Sequence, residues 1–296
     1  MTKTLKLGAI SIAIAIVVFA LKYAAYRLTG SVAILSDALE SIVNIAAAFA
    51  AFVALRVSSL PADDNHPFGH SKAEYLSAVV EGVLIVVAAI AIAHESYKDL
   101  VDPRPITTPV IGLAVVGVAT AINAVWAVVL IRAGRRMRSM ALVADGRHLY
   151  TDVVTSGGVI AGIALAAVTG WQILDPLLAI VVAMNILWSG WRLIRESVAG
   201  LMDEAVSPAL LDEIKAVITE NGGGAIQMHD LRTRHAGHRT FIEFHLVVDG
   251  GMTVSASHAI CDRLEAAIRS HVPGAVVTIH VEPETKAKSS GVPVSE

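Results

Sequence analysis

The stretch DGRHLYTD (residues 145–152) decides the fold, because it places four ionisable side chains inside a long apolar segment. A second stretch of this kind, SDALESIVN (residues 36–44), lies in an apolar segment nearer the N-terminus. Ionisable residues within a membrane span are costly, so they face a bundle interior or a water-filled cavity and usually mark an ion or proton pathway. The two stretches therefore predict a helical membrane bundle with a polar site inside it.

The composition supports a membrane protein. Hydrophobic residues make up 55% of the chain and charged residues only 17%, whereas a soluble domain has about 25% charged residues. The net charge of −3 does not indicate a partner, and no basic aromatic surface suggests nucleic acid. Cys261 is the single cysteine, which excludes an intrachain disulfide and a CxxC metal site. We expect Cys261 to be a small core residue.

Six apolar segments are each long enough to span a bilayer, which requires about 20 residues for ~30 Å of hydrocarbon. They lie near residues 7–28, 32–56, 74–97, 109–131, 141–168 and 172–195. We expect the first to be a retained helix and not a signal peptide, because its apolar run exceeds a typical signal sequence. Lysine and arginine are concentrated in the loops on one side, so both termini are predicted to be cytoplasmic.

The pattern changes after residue 200, where shorter amphipathic segments follow the order α-β-β-α-β. This order suggests a small ferredoxin-like sheet covered by two helices on one face. The predicted fold is thus an α-helical integral membrane bundle of six transmembrane helices (residues 1–204), followed by a small cytoplasmic α+β domain (205–284). The polar segment 285–296 is predicted to be a disordered tail.

The first candidate metal site lies on two membrane helices. Glu40 and Asn44 are four residues apart on the second segment, and His148 and Asp152 are four apart on the fifth. This spacing puts each pair on one helix face, so two facing helices could offer the four ligands of a tetrahedral divalent ion. The alternative is that each pair forms hydrogen bonds across the bundle. Two acidic residues on similar faces are expected to be accessory or helix-start groups: Asp37 and Asp145.

A second candidate site lies in the short loop between the second and third segments. Asp63, His66 and His70 occur close together there, and carboxylate with imidazole is a ligand set suited to borderline divalent metals. The alternative is a solvated polar loop.

A third candidate site belongs to the C-terminal domain. His229 and His245 fall on neighbouring predicted strands, and His258 is near the start of the second helix. His280 and Glu282 are two residues apart on the last strand, so they share a sheet face. Four imidazoles and a carboxylate suit a binuclear site in which Glu282 bridges two metals. Scattered surface histidines are the alternative.

The ordered strings SDALESIVN, DDNHPFGHSKAE, ADGRHLYTDV, HDLRTRHAG, FHLVV and IHVEP resemble the cation diffusion facilitator family, of the ferrous-iron and zinc efflux type. The resemblance covers residues 1 to about 284. It implies a homodimeric divalent-metal/proton antiporter with six transmembrane helices, a transport site in the membrane and a metal-stabilised cytoplasmic dimerisation domain. We expect such a protein in a bacterial inner membrane.

Matched by position, the resemblance implies the same three sites as the residue patterns. It adds Lys72 and Asp203, which match a pair that in relatives ties the third helix to the domain junction. The chain departs from zinc-transporting relatives at Glu40 and Asn44, where two Asp or His and Asp are usual, and at Glu282, where Asp is usual. Imidazole favours borderline over hard metals, so we expect Zn²⁺, with Fe²⁺, Cd²⁺ and Co²⁺ left open.

Two other classes of protein, a metal sensor and a metalloprotease, make different demands on the sequence. A membrane-anchored metal sensor would need the cytoplasmic histidines but not the four polar groups in the membrane. An intramembrane metalloprotease would need an HExxH motif or an equivalent catalytic acid beside paired histidines, and the sequence contains neither. We therefore expect a transporter that is not an enzyme.

Overall fold

The computed structural model describes the backbone of residues 2–29, 32–101, 110–169, 171 and 173–294. Within these ranges, the side chains of 28–29, 32–37, 39–40, 95, 99, 110–113, 159–168 and 174–175 lie outside the description. The chain divides into two compact units, Met1–Val198 and Ala199–Glu296. The predicted boundary at residues 204/205 remains a prediction.

Long helices build the first unit. They are α1 (Lys3–Thr29), α2 (Val32–Ser58), α3 (Ala73–Val101), α4 (Val110–Met137), α5 (Met140–Thr169) and α6 (Leu174–Leu201). Five of them contain described segments that are long and apolar enough to cross a membrane: Lys3–Arg27, Ser41–Ser58, Ala73–Lys98, Ala114–Met137 and Pro176–Leu201. These segments agree with five of the six predicted spans.

Helix α5 is not among these five segments, and charged residues interrupt the apolar sequence of its first half. Asp145, Arg147 and Asp152 all fall there. The polar face nevertheless points into the bundle, since Asp145 is 1% exposed and His148 is 5% exposed. The prediction that α5 must turn its polar residues inward is confirmed for these two.

Glycines bring α4 and α5 close together. A Cβ atom on Gly134 would lie 2.8 Å from the backbone nitrogen of Val143, and one on Gly146 would lie 3.0 Å from the backbone nitrogen of Ile131. Small residues permit such close packing of helices in lipid. This packing fixes α5, which carries half of the predicted membrane site.

The second unit is a four-stranded sheet with two helices. Its elements are α7 (Pro208–Asn221), β1 (Gln227–Ala236), β2 (Arg239–Val248), α8 (Val254–His271), β3 (Ala275–Pro283) and β4 (Val292–Pro293). The strand order is β3-β2-β1-β4, with β2 and β3 parallel and the other pairs antiparallel. The predicted α-β-β-α-β order is confirmed. Cys261 is 5% exposed in the core of this unit, as predicted for a small core residue.

The described part of the segment after Glu284, residues 285–294, contains a short strand, whereas the sequence predicts a disordered tail over 285–296. Residues Val292–Pro293 form β4, which pairs with Gln227 and Met228 of β1. The Gln227 side chain also exchanges two hydrogen bonds of 2.8 Å with the backbone of Lys288. The tail sequence is polar, so its composition does not reveal backbone pairing at the open edge of β1.

Candidate metal sites

The predicted membrane site brings α2 and α5 together through side-chain contacts. The Nε2 atom of His148 lies 2.9 Å from Oδ1 of Asn44, and Nδ2 of Asn44 donates a hydrogen bond to Oδ2 of Asp152. Asn44 and His148 are each 5% exposed. Three of the four predicted ligands are therefore in contact. The side chains of Glu40 and of Asp37 lie outside the described residues.

The hydrogen bonds assign a proton in this site. Because the amide nitrogen of Asn44 donates to Asp152, its oxygen faces His148 and accepts a hydrogen bond from Nε2–H. A metal ligand must present a lone pair, so coordination through Nε2 requires that proton to leave or to move to Nδ1. Binding of a metal at Nε2 of His148 would therefore displace a proton from the same atom.

Asp145 lies on α5 with His148 and Asp152, but among the described residues its side chain contacts α1 and not α2. Its Oδ2 accepts a hydrogen bond of 2.6 Å from Ser11 of α1, and the same hydroxyl accepts one of 3.1 Å from Nε1 of Trp126 on α4. A buried carboxylate bound in this way ties α5 to α1 and α4. Its predicted role as an accessory group remains a prediction.

The loop residues Asp63, His66 and His70 come together, with ligand atoms within 4.8 Å of one another. Oδ1 of Asp63 lies 3.2 Å from Nδ1 of His66, and Oδ2 lies 3.3 Å from Nε2 of His70. Two backbone amides, those of Asn65 and His66, donate to Oδ1 of Asp63. Local turn geometry therefore orients the carboxylate toward both imidazoles.

Electrostatics prepare this loop for a cation. The hydrogen bond from the backbone amide of His66 holds the pKa of Asp63 below its ordinary value, so the carboxylate is ionised at neutral pH. Nδ1 of His70 lies 3.1 Å from the carbonyl oxygen of Pro61. If Nδ1–H donates there, the Nε2 lone pair of His70 faces Asp63, the tautomer a metal ligand requires. The three groups could hold a divalent metal, and the assignment of a metal site to this loop remains a prediction.

Four of the five predicted cytoplasmic ligands cluster on the sheet. Glu282 lies at the centre of this cluster. Its Oε2 atom is 3.2 Å from Nε2 of His229. Its Oε1 atom is 3.3 Å from Nδ1 of His245 and 3.6 Å from Nε2 of His280. Both ring nitrogens of His229 and Nδ1 of His245 are buried, without a hydrogen bond of good geometry to any described group. Buried imidazoles left in this state fit a bound metal.

The fifth predicted ligand, His258, does not join this cluster. Its side chain is 71% exposed, and its Nε2 lies 3.6 Å from Oδ1 of Asp262, one turn further along α8. His258 and Glu282 border the same cavity, of about 560 Å³. Within one chain, therefore, His258 faces the approach to the cluster and is not part of it.

Asp230 is a candidate ligand that the sequence pattern does not predict. With His229 and His245 it forms a set whose ligand atoms lie within 4.8 Å. The register of β1 shifts between His229 and Arg232, and Asp230 has a φ of 52°. The bulge turns Asp230 toward the cluster, although strict strand alternation would place neighbours on opposite faces. In the sequence, the feature that could have indicated Asp230 as a ligand is its position directly after His229.

A cation already holds the Asp230 carboxylate. Nζ of Lys288 lies 2.6 Å from Oδ2 of Asp230, and this hydrogen bond holds the pKa of Asp230 below its ordinary value. The ordered tail thus supplies a positive charge at the edge of the cluster. A metal that recruits Asp230 must compete with Lys288.

Lys72 and Asp203 are the pair that the family resemblance implies, and their pairing remains a prediction. Asp203 has a φ of 60° and accepts a hydrogen bond of 3.0 Å from Nη1 of Arg234. That arginine also lies 4.3 Å over the ring of Phe241. Asp203 is therefore anchored to the sheet of the second unit.

Comparison with known proteins gives matches along nearly the whole chain. Residues 9–202 match the cation efflux transmembrane domain, and residues 206–284 match the cytoplasmic domain of cation efflux proteins. The uncharacterized transporter sll1263 of Synechocystis is 46% identical over 280 residues, covering 95% of this chain and 90% of that protein.

Two further relatives are a pump and a solved domain. The cation-efflux pump FieF of Salmonella arizonae is 33% identical over 271 residues, covering 92% of this chain and 90% of the pump. A structure of CzrB in its zinc form is 47% identical, covering 29% of this chain and 98% of that chain, with a TM-score of 0.28.

Helices that span a membrane, polar groups buried between two of them, and a cytoplasmic domain with clustered histidines define an integral membrane transporter of metal cations. The chain belongs to the cation efflux family, so the predicted membership of the cation diffusion facilitators is confirmed. Its function is efflux of divalent metal cations. The family is one of transporters and not of enzymes.

Proposed function

We propose that this protein is a proton-coupled antiporter that exports Zn²⁺ from the cytoplasm, using Glu40, Asn44, His148 and Asp152 as its transport site. The observation that carries the proposal is the Asn44 carboxamide, which links Nε2 of His148 to the carboxylate of Asp152 across two membrane helices. Three groups that can bind a metal thus converge where ionisable residues are otherwise costly.

The coupling follows from the protonation states of these groups. A metal binds neutral imidazole and ionised carboxylate, so binding displaces protons and protonation expels the metal. The site loads from the cytoplasm, the helices rearrange to open it outward, and protons that enter release the ion. Moving two charges out against a potential of ~100 mV costs about 4.6 kcal/mol, of which one returning proton offsets about 2.3 kcal/mol.

The ligand set favours Zn²⁺ over hard cations. An imidazole suits borderline metals, whereas carbonyl and carboxylate oxygens suit magnesium, calcium and manganese. Asn44 contributes a neutral oxygen where zinc-transporting relatives have a carboxylate. Fe²⁺, Cd²⁺ and Co²⁺ are the alternative substrates by the same mechanism.

The two sites outside the membrane bind resident metals in this proposal. The loop of Asp63, His66 and His70 and the cluster of His229, His245, His280 and Glu282 hold ions that stabilise a homodimer and adjust activity. His258 reaches the cytoplasmic cluster only by a change of side-chain conformation, or it acts from a second copy of the chain. The proposal also has both termini in the cytoplasm, from the distribution of positive charge in the loops.

Transport by proteoliposomes tests the proposal. Purified protein is reconstituted, a pH gradient is imposed, and uptake of Zn²⁺, Fe²⁺, Cd²⁺ and Co²⁺ is followed together with the internal pH. The proposal expects Zn²⁺ uptake that requires the gradient and moves protons in the opposite direction. A membrane-anchored sensor, the alternative, would bind the ions without moving them. Zn²⁺ uptake at the same rate with and without the pH gradient would contradict the proposed proton coupling.

A further inference from the structure

A groove of about 370 Å³ lies between α4, α5 and α6 on the first unit. Three arginines line it, one from each helix: Arg135 in the last turn of α4, Arg147 in the first third of α5, and Arg192 in the last third of α6. Helix α5 begins where α4 ends, so these guanidinium groups gather at one end of the bundle. This end is the cytoplasmic one by the distribution of positive charge.

The groove carries more positive than negative charge. Glu196 accepts hydrogen bonds of 2.8 Å from Arg147 and 2.7 Å from Arg192. Among the residues that the structure describes here, three guanidinium groups against this carboxylate leave two positive charges in excess. Excess positive charge near the cytoplasmic surface attracts the anionic lipids of that leaflet, so binding of an anion in the groove is favoured.

Aromatic and apolar side chains complete the lining. Trp188 is 68% exposed and Tyr150 is 50% exposed, and such rings sit at the headgroup level of a membrane. Ile131 and Val154 add apolar surface. A groove that is cationic, aromatic and apolar together matches a ligand with an anionic head and a hydrocarbon tail.

We propose that this groove binds the headgroup of an anionic phospholipid from the cytoplasmic leaflet. The phosphodiester accepts hydrogen bonds from Arg135 and Arg192, whose planar guanidinium groups suit two-point contact with phosphate oxygens. The rings of Trp188 and Tyr150 pack against the glycerol and the first carbons of the chains. Arg147 directly precedes His148, so the bound lipid contacts the helix that carries the proposed transport site.

The test compares two neighbouring arginines. Both arginines are exposed, but Arg135 lines the groove and Arg136 does not, so Arg135→Glu and Arg136→Glu change the same charge at almost the same depth. Native mass spectrometry of the full-length protein would titrate phosphatidylglycerol, phosphatidylcholine and inorganic phosphate separately. Size-exclusion chromatography would check the fold of each variant.

The expected result is selective binding of phosphatidylglycerol over phosphatidylcholine by the wild type. Each charge near the surface contributes about fivefold in affinity, so Arg135→Glu should weaken phosphatidylglycerol binding by about 25-fold and Arg136→Glu by less than threefold. If Arg135→Glu does not fold, Arg135→Gln should show about a fivefold loss.

Three outcomes would overturn the proposal. Equal binding of the two lipids would show that charge does not select the ligand. An equal loss in both variants would indicate attraction by the whole surface and not by the groove. Competition by inorganic phosphate at the same concentration as the lipid would indicate an anion site without a role for the hydrocarbon chains.

Discussion

The Nε2 atom of His148 lies 2.9 Å from the carboxamide oxygen of Asn44, so a neutral side chain occupies the place where a metal would contact the ring. An amide cannot take up or release a proton near neutral pH, and it therefore leaves the proton of the pair on the histidine.

Replacement of His148 with alanine should abolish metal transport while insertion and dimer formation persist. The change removes the only imidazole of the proposed transport site, so the loss should exceed the roughly 10- to 100-fold that the loss of a supporting partner causes. Uptake into proteoliposomes measures it. His94→Ala is the matched control, because His94 is an exposed histidine on α3. Near-normal uptake by His148→Ala would show that His148 is not a ligand of the transported ion.

Replacement of Asn44 with aspartate should steepen the pH dependence of metal binding and alter the ranking of ions. The new carboxylate adds a titratable group beside Asp152 and gives hard cations more oxygen charge, so Mn²⁺ uptake should rise relative to Zn²⁺.

Metal affinity in detergent between pH 5.5 and 8, together with transport of an ion panel, measures both effects. Asn44→Ala is the comparison, because it removes the amide without adding charge and should lower the affinity for every ion. An unchanged slope with an unchanged ranking in Asn44→Asp would mean that this side chain does not contact the metal.

Replacement of His245 and His280 together with alanine should reduce the stabilisation of the protein by added Zn²⁺ but leave residual transport. A ligand at 100 times its Kd stabilises the folded state by about 2.7 kcal/mol, and most of that should disappear. Thermal unfolding of the full-length protein with and without Zn²⁺ measures the change, and exposed His271→Ala serves as control. A well-folded dimer with no transport at all would contradict the proposed structural role.

Replacement of Asp63 with asparagine should weaken metal binding by the loop without moving its pH midpoint between pH 5 and 7. The pKa of Asp63 is lowered in the folded protein, so its contribution is present above the unfolded value and is lost only as the pH falls through the lowered one. Loss of metal between pH 7 and 5 must then come from groups other than this carboxylate.

Calorimetric titration of Zn²⁺ at several pH values measures this behaviour. Asp64→Asn is the matched control, since Asp64 is the adjacent exposed acid and lies outside the ligand set. A midpoint that shifts by a full pH unit in Asp63→Asn but not in Asp64→Asn would contradict this expectation.

Much of the cytoplasmic cluster was predictable from strand periodicity. Side chains two residues apart share a face of a sheet, which places His280 beside Glu282, and hydrophobic alternation brings β1 and β2 into the register that pairs His229 with His245. The membrane helices were equally clear, because long apolar segments have few alternatives in a bilayer.

The sequence was less informative where local backbone geometry breaks the period. Asp230 joins the cluster through a bulge with positive φ, which no alternation rule anticipates. His258 lies near the start of α8, as predicted, but its side chain points to solvent within one chain. The tail escaped prediction because two residues of edge pairing at Val292–Pro293 leave almost no compositional trace.

Three histidines occupy one rung of the sheet, since His229 is opposite His245 and His245 is opposite His280. A strand that gains or loses a single residue slips by one position, and every side chain beyond the change moves to the other face. The cluster should therefore survive many substitutions in α7 and α8, which pack on the opposite face of the sheet, yet be destroyed by one insertion in β2. The lengths of these strands hold the site together as much as the identities of its ligands do.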